Sequence, residues 1–480
     1  MSNFLCRRLI PAICFAVVVF FILLYIFPEA PVIPPRADYG VPATSNYVPD
    51  GNEGDFATTA APVVNEAILM SAIFAFLAGV MLFFASGRIK KPSLLILVGA
   101  AILAGMVIRT ISLAQWDNGD YRWCLRPWVQ DFRVRGWDAL VNTRSDYNVV
   151  YLYIVGLISR IPVSDLYLYK LVSILCDCGI AMLGLRLACT FKLGDMKKVF
   201  ASAALFLAPT VWLNSSFWGQ CDAVFAVFCL LALVFILEKK PPFAAAAAAV
   251  ALSFKLQAIF LLPIFIVLCI AKRVRWWSEV QIFIGTFFVT ILPAWLMGRP
   301  LWSILSIYGD QTKNYASRLN WNSTSMYALI PDQSPEETKG LLYAGIILAF
   351  CLVGALALLA WHNRTKLTDK VIFLFAVVMV IGIPWLLPKM HDRYFFLADI
   401  FCVFLAVMIP EKWFFGPLCV FASYAAYRNF LFMPYTPDTS YIAVGSVIMM
   451  FLLGSSIALL VSELKKLPDV PVADVPVTMA

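Results

Sequence analysis

The stretch "VIFLFAVVMVIGIPWLLPKMHDRYFFLADIFCVFLAVMI", residues 371–409, decides how the chain is read. Two apolar arms, 371–387 and 395–409, enclose Lys389, Met390, His391, Asp392, Arg393 and Tyr394. Each arm approaches or reaches the ~17–25 residues that cross a bilayer as one helix. Charge at a membrane edge is common. A dense basic cluster holding one of only two histidines in the protein, with a carboxylate inside it, asks for a further reason.

Outward from that stretch, similar apolar runs recur along the whole chain. The 480 residues are 62% hydrophobic and 14% charged, with a mean hydropathy of +0.83. Soluble domains carry roughly 25% charged residues, so the composition predicts an all-α, polytopic bundle of about 12–14 transmembrane helices. The net charge of +8 sits mostly in short loops, where it reports topology. No basic run interleaved with exposed aromatics suggests a nucleic-acid groove. The twelve cysteines lie mainly in apolar runs, and "CDC" at 176–178 places its thiols on different helix faces with no second Cys/His pair nearby, against a metal site. The start, "MSNFLCRRLIPAICFAVVVFFILLYIF", reads as a retained first helix rather than a cleaved leader.

Loop charge orients the spans. Arg7 and Arg8 place the N-terminus inside, and the basic loops "RIKK", "KLGDMKK", "EKKPP", "KRVRWW" and "HNRTKLTDK" then alternate with weakly basic ones. Fourteen spans with both termini inside satisfy the pattern, provided residues 147–161 lie at the interface instead of crossing. Five polar constellations then share the external face: the loop 114–146, "NSSFWGQCD" (214–222), "FKLQ" (254–257), the loop 298–339 and "PKMHDRY" (388–394). A transporter more often places its polar site at the bilayer midplane between repeated halves, and no internal repeat is evident.

The first large external loop reads "QWDNGDYRWCLRPWVQDFRVRGWDALVNTRSDYN", 115–148. Its Asn118-Gly119 turn presents Asp120 just past a membrane exit, with Asp117 beside it; a carboxylate there suits a general base. Asp131, Asp138 and Arg133 read as a solvated, salt-bridged surface. Gln220 and Asp222 stand at the mouth of a helix, where Asp222 suits equally a cap and a site. Lys255, with Gln257, occupies the tip of a hairpin between apolar helices, so it needs a phosphate or carboxylate partner. Asp177 and Asp399 sit inside apolar helices, where an acid suits equally a functional role and pairing with a neighbouring arginine such as Arg186 or Arg109. Lys389, His391 and Arg393 supply donors that grip a phosphate at headgroup depth, with Asp392 orienting them.

Together, "GDYRWCLRPW", "NSSFWGQCDAVF", "SFKLQAIFLLP" and "LPKMHDRYFFLADI" resemble, in this order, the bacterial branch of the GT-C membrane glycosyltransferases. Within it the chain is most similar to mannosyltransferases related to the second GPI mannosyltransferase. The resemblance covers 92–435, which divides the chain into an N-terminal two-helix extension (1–91), a core (92–435) and a last helix with a short tail (436–480). It departs from that group in reading "DYNVV" at 146–150 and "HDR" at 391–393. The resemblance implies Asp120 as the catalytic residue and matches Lys389, His391 and Arg393 to the basic motif of a later external loop; the chemistry of these three puts them at the donor phosphate, with Lys255 assisting. Gln220, Asp222, Gln257, Asp117, Asp392 and Tyr394 are the expected substrate-binding residues.

The residues agree with that implication. No hydrophilic stretch is long enough for a nucleotide-binding domain of ~100 residues or more, and no P-loop or G-x-G-x-x-G motif occurs in a strand–helix context. The expected partners are therefore a polyprenyl-phosphate hexose donor, a glycan or glycolipid acceptor, and the lipid bilayer; the resemblance implies mannose first, with glucose or galactose close behind. No cofactor or metal is required. The expected place is the plasma membrane of a bacterium, with the site facing out. The alternative is a flippase or transporter of lipid-linked sugars that forms no bond.

Overall fold

A computed structural model of the chain describes residues 8–31, 65–143, 145–314, 318–331, 335–433 and 439–468. Arg7, most of the expected external loop 28–66 and the tail 469–480 lie outside the described residues. The fold is an all-α helical bundle. Its principal helices are α1 Ile10–Tyr25, α2 Glu66–Ser86, α3 Pro92–Ser112, α4 Arg126–Arg135, α5 Val149–Ile158, α6 Asp165–Thr190, α7 Asp195–Leu207 and α8 Asp222–Leu237. They continue as α9 Pro241–Phe254, α10 Ile264–Ile270, α11 Trp276–Leu296, α12 Pro335–His362, α13 Asp369–Leu386, α14 Phe396–Met408, α15 Phe415–Leu431 and α16 Thr439–Lys466. Among the described residues the named strands are one two-residue parallel pair, β1 Asn320–Trp321 with β2 Met390–His391.

Each of the fourteen expected spans coincides with a helix, but among the described residues seven helices are long and apolar enough to cross a membrane singly. An eighth is the pair Asp195–Leu207 and Pro209–Trp218, bent by 41°. The bend has a local cause: Ala208 precedes Pro209 and is forced to an extended ψ of 125°. The others are shorter, 16 residues in α1, 14 in α9 and 13 in α14. At 1.5 Å per residue they reach about 20–24 Å of a ~30 Å core. Alpha-helix α9 stops where Lys255 turns extended, at φ −152° and ψ 137°. The segment expected at the interface forms α5, whose 10 residues are largely buried against neighbouring elements.

The stretch that opened the reading lies at the centre. Helix α13 is apolar all round because 78% of its apolar window is buried inside the protein; α11 and α12, at 17%, leave most of theirs outward. Deep in the bundle, Arg109 on α3 pairs with Asp177 on α6 at 2.7 Å, both side chains fully buried, and Ser215 also donates to Asp177. Of the two arginines suited to Asp177, Arg109 is its partner; Arg186 pairs with Glu238. Asp399 accepts from the Ser423 hydroxyl at 2.8 Å.

Three helices end alike. After α6, α8 and α10, the residues Lys192, Lys239 and Lys272 adopt left-handed φ of 54°, 59° and 53°. The amides that follow reach back five residues, to Ala188, Phe235 and Leu268 respectively. This is the Schellman closure, which ordinarily uses glycine. Helix α11 closes the same way with Gly298 at φ 101°.

Candidate active site

Asp120 follows α3 by a short connector that Asn118 fixes at both ends. The Asn118 amide donates to the Trp218 carbonyl at 3.2 Å, and its oxygen accepts from the Tyr121 amide at 2.9 Å. This seats Asp120 against the "WGQ" corner. One carboxylate oxygen, Oδ2, accepts from Trp218 Nε1 at 2.8 Å, from Gln220 Nε2, and from an Arg393 guanidinium nitrogen at 3.5 Å.

The corner itself is a π-helical turn, Leu213–Trp218, that closes on Gly219 at φ +84°. A left-handed position favours glycine, and π turns often mark functional sites. Gln220 is oriented from its other side: Tyr147 donates to its Oε1 at 3.0 Å, which leaves the amide NH2 for Asp120. Trp218 stacks on Phe430 with ring centres 4.7 Å apart, and the Arg393 guanidinium lies 5.4 Å from its ring centre.

Asp222, suited in the sequence to either cap or site, makes no side-chain cap at the start of α8. Its Oδ1 takes the Lys255 ammonium, while Oδ2 accepts from Asn214 at 2.8 Å and faces Arg393 Nε at 3.5 Å. Lys255 therefore has a carboxylate as its partner. The two side chains are 4% and 1% exposed, so this pair is a buried one. Removing one member strands the other: Lys255→Met is expected to lower stability by about 3–5 kcal/mol, and Lys255→Met with Asp222→Leu to recover most of it. Thermal unfolding of the two variants in detergent checks this; equal losses in both would reject the pairing account.

The buried network thus carries a carboxylate at a helix exit, a tryptophan and a glutamine aimed at it, and an arginine spanning Asp120, Asp222 and Asp392. The family model of glycosyltransferase family 87 matches residues 152–410, more than half of the chain. The chain belongs to glycosyltransferase family 87. It is thus a multi-pass membrane glycosyltransferase, an enzyme acting on sugar donor and acceptor. Among curated proteins no match to the chain is found. The family 87 region contains the WGQCD corner, Lys255 and the HDR motif, whereas Asp117 and Asp120 precede it.

In this glycosyltransferase the HDR motif is more enclosed than its sequence suggested. His391 pairs in β2 with β1 of the preceding loop, and its ring lies between Trp321, stacked at 5.7 Å and 9°, and Tyr394 at 5.1 Å. Burial, with Arg393 and Lys255 nearby, lowers its pKa to about 3. The imidazole is accordingly neutral near pH 7, a single N–H donor rather than a cation. Arg393 is the opposite case. Burial works against its charge, yet Asp120, Tyr147, Asp222 and Asp392 together hold its pKa well above the ordinary value.

Asp392 is nearly buried, and its carboxyl lies 3.6 Å from Arg393. Burial pushes its pKa up to about 7; Arg393 opposes this, while Asp120 and Asp222 add to it. A carboxyl raised in the folded state stabilises the fold below its ordinary value near 4 and loses that contribution as pH rises through about 7. Asp392→Asn should therefore raise the unfolding temperature relative to wild type more at pH 8 than at pH 5. A gap that does not change with pH would count against the buried-acid assignment.

The remaining expected residues divide. Tyr394 packs against His391 and, at 6.4 Å, Phe260. Gln257 is buried, and its Oε1 lacks a donor among the described residues. Lys389 has a left-handed φ of 61°, its amide donating to Leu319. Asp117, with a side chain 63% exposed, pairs with Arg122 and stays outside the Asp120 network. Sequence reasoning passed over Trp218, Tyr147 and Asp146. The Asp146 carboxyl is raised by burial and by Asp120 and lowered by Arg393, which places it beside the same charges. A polar-tipped aromatic at a membrane edge usually reads as an interfacial anchor, so its spelling carried no separate signal. Among the described residues no group of three or more His, Cys, Asp or Glu side chains is placed to hold a metal ion.

Proposed function

We propose that the enzyme transfers a hexose, mannose first, from a polyprenyl-phosphate hexose to a glycan or glycolipid acceptor on the external face of a bacterial plasma membrane. The observation that carries this reading is the Asp120 carboxylate. Three donors converge on Oδ2, leaving Oδ1 without a hydrogen bond among the described residues. An acceptor hydroxyl fits that free oxygen.

In the proposed step the hydroxyl gives its proton to Asp120 as its oxygen bonds to the anomeric carbon. The bond from that carbon to the phosphate oxygen breaks on the opposite side, so the configuration inverts. Polyprenyl phosphate leaves carrying the electron pair and needs no general acid. Arg393 and Lys389 offset its developing charge, and neutral His391 donates through its N–H. The Lys255–Asp222 pair holds Arg393 in place, and Gln257, with its unused acceptor, is suited to a sugar hydroxyl.

The external assignment is supported by which ends of the helices meet. The basic loops gather together: the Lys90 amide donates to Asp195 at 3.0 Å, Lys198 to the Arg88 carbonyl at 3.2 Å, Lys197 to the Met408 carbonyl at 3.1 Å, and Lys370 to Glu463 at 2.8 Å. The Asp120 network lies at the other ends of α3 and α8. Positive charge at the cytoplasmic ends leaves the site outside, where nucleotide sugars are absent and a lipid-linked donor is required.

The test incubates detergent-purified protein with radiolabelled polyprenyl-phosphate mannose, glucose or galactose and a lipid extract of the source cells. Label is expected to move from one donor, mannose, into a new glycolipid or glycan. Donor translocation in liposomes without any label transfer would replace this reading with that of a lipid-linked sugar flippase.

A further inference from the structure

Helix α6 brings a fully buried lysine, Lys170, beneath the exit of α3. Its ammonium donates to the carbonyls of Ser112 at 2.9 Å, Leu113 at 2.8 Å, and Gln115. An ammonium carries three donors and no acceptor, so all three are spent on one helix end. That end needs them: terminal carbonyls have no partner in their own helix, and the helix dipole is negative there. Among the described residues no carboxylate pairs with Lys170. A charge buried in this way between apolar helices is costly, and a methionine would fill similar space.

Three residues on, and therefore on the same helix face, the Ser173 hydroxyl donates to the carbonyl of Gln220. Gly219 lies against the Lys170 stem, the position of an added Cβ being 3.7 Å from Lys170 Cγ. One face of α6 thus grips both the connector that ends in Asp120 and the corner that supplies Trp218 and Gln220 to it. Asn118, bonded to the Trp218 carbonyl, joins the two.

We propose that Lys170, assisted by Ser173, is a positioning residue that fixes the α3 exit so that Asp120 meets its Trp218 and Gln220 donors. The proposal deepens the reading of Asp120 as general base and rests on it. Its ammonium does not touch substrate.

The test uses the full-length protein in detergent as wild type, Lys170→Met, Ser173→Ala and Asp120→Asn. Hydrogen exchange over residues 113–121 reads the connector, and label transfer from polyprenyl-phosphate mannose reads the chemistry. In Lys170→Met, exchange there should rise about tenfold while α13 and α14 stay protected. Turnover should fall about 10- to 100-fold with donor KM within about twofold, as a misplaced catalytic group predicts. Unchanged exchange would overturn the proposal. So would raised exchange with wild-type turnover where Asp120→Asn is inactive, because Lys170 would then serve the fold alone. If Asp120→Asn remains active, the base reading fails, and the exchange result still decides whether Lys170 fixes the connector. Should Lys170→Met not fold, Ser173→Ala must show the same two changes, smaller, or the proposal is lost.

Discussion

Asp120→Asn is expected to lower turnover by about 10²–10⁴-fold, the range set by removing a general base, with donor KM within a few-fold of wild type. Asparagine preserves the side-chain shape, so it isolates proton acceptance from packing. The proposed donor-phosphate groups, Arg393 and Lys389, stay in place in this variant, so binding should survive. Label transfer at saturating donor measures the effect. Retention of more than about a tenth of the wild-type rate would exclude Asp120 as the base. Asp146, close enough to feel both Asp120 and Arg393, would be the next carboxylate to test.

Arg393→Met carries the second large effect, and it should appear in stability as well as in rate. Arg393 lies within 3.5 Å of Asp120, 3.5 Å of Asp222 and 3.6 Å of Asp392. Its removal leaves three carboxyl groups in a largely buried site, of which Asp222 keeps Lys255 as its partner. Breaking a buried charge pair of this kind costs about 3–5 kcal/mol. The proposed donor site also loses its main stabiliser of leaving-group charge, about 10²–10³-fold in turnover. Arg393→Lys restores charge without the planar fork, so it should recover stability more fully than rate. Thermal unfolding and label transfer, measured on the same preparations, separate the two effects. A variant as stable as wild type would show that the carboxylates rely on other groups.

Much of the fold was legible because a bilayer-spanning helix must be written as a long apolar run, and every such run became a helix. The lengths were less legible. Bends at Ala208 and Lys255 depend on where backbone turns are tolerated inside the bundle, and the 41° break in the α7 segment left one span in two pieces. In the site, polar and charged side chains at span ends singled out Asp120, Gln220, Asp222, Lys255 and Arg393, and the fold joins all five in one network. His391 shows the limit. A histidine among lysine and arginine reads as a potential cation, but its protonation is decided by desolvation and by neighbouring positive charge. Burial depends on β1 and Trp321, some seventy residues earlier in the chain. Trp218 was missed for a related reason: the role of an indole N–H is fixed by what lies across from it.

Under the proposed orientation, the lysines that close α6, α8 and α10 all lie on the cytoplasmic side. A left-handed lysine costs roughly 1–2 kcal/mol that glycine would avoid, and on α11, whose end carries no such duty, Gly298 occupies the corresponding place. A lysine near an anionic leaflet gains roughly 1 kcal/mol in return, and it also faces the negative pole of its own helix. Local strain and membrane attraction therefore nearly cancel, and what survives is polarity: three folded corners that are comfortable on one side of the bilayer and costly on the other. If the proposed orientation holds, sidedness is in this sense supported by the backbone of the native state as well as by loop charge.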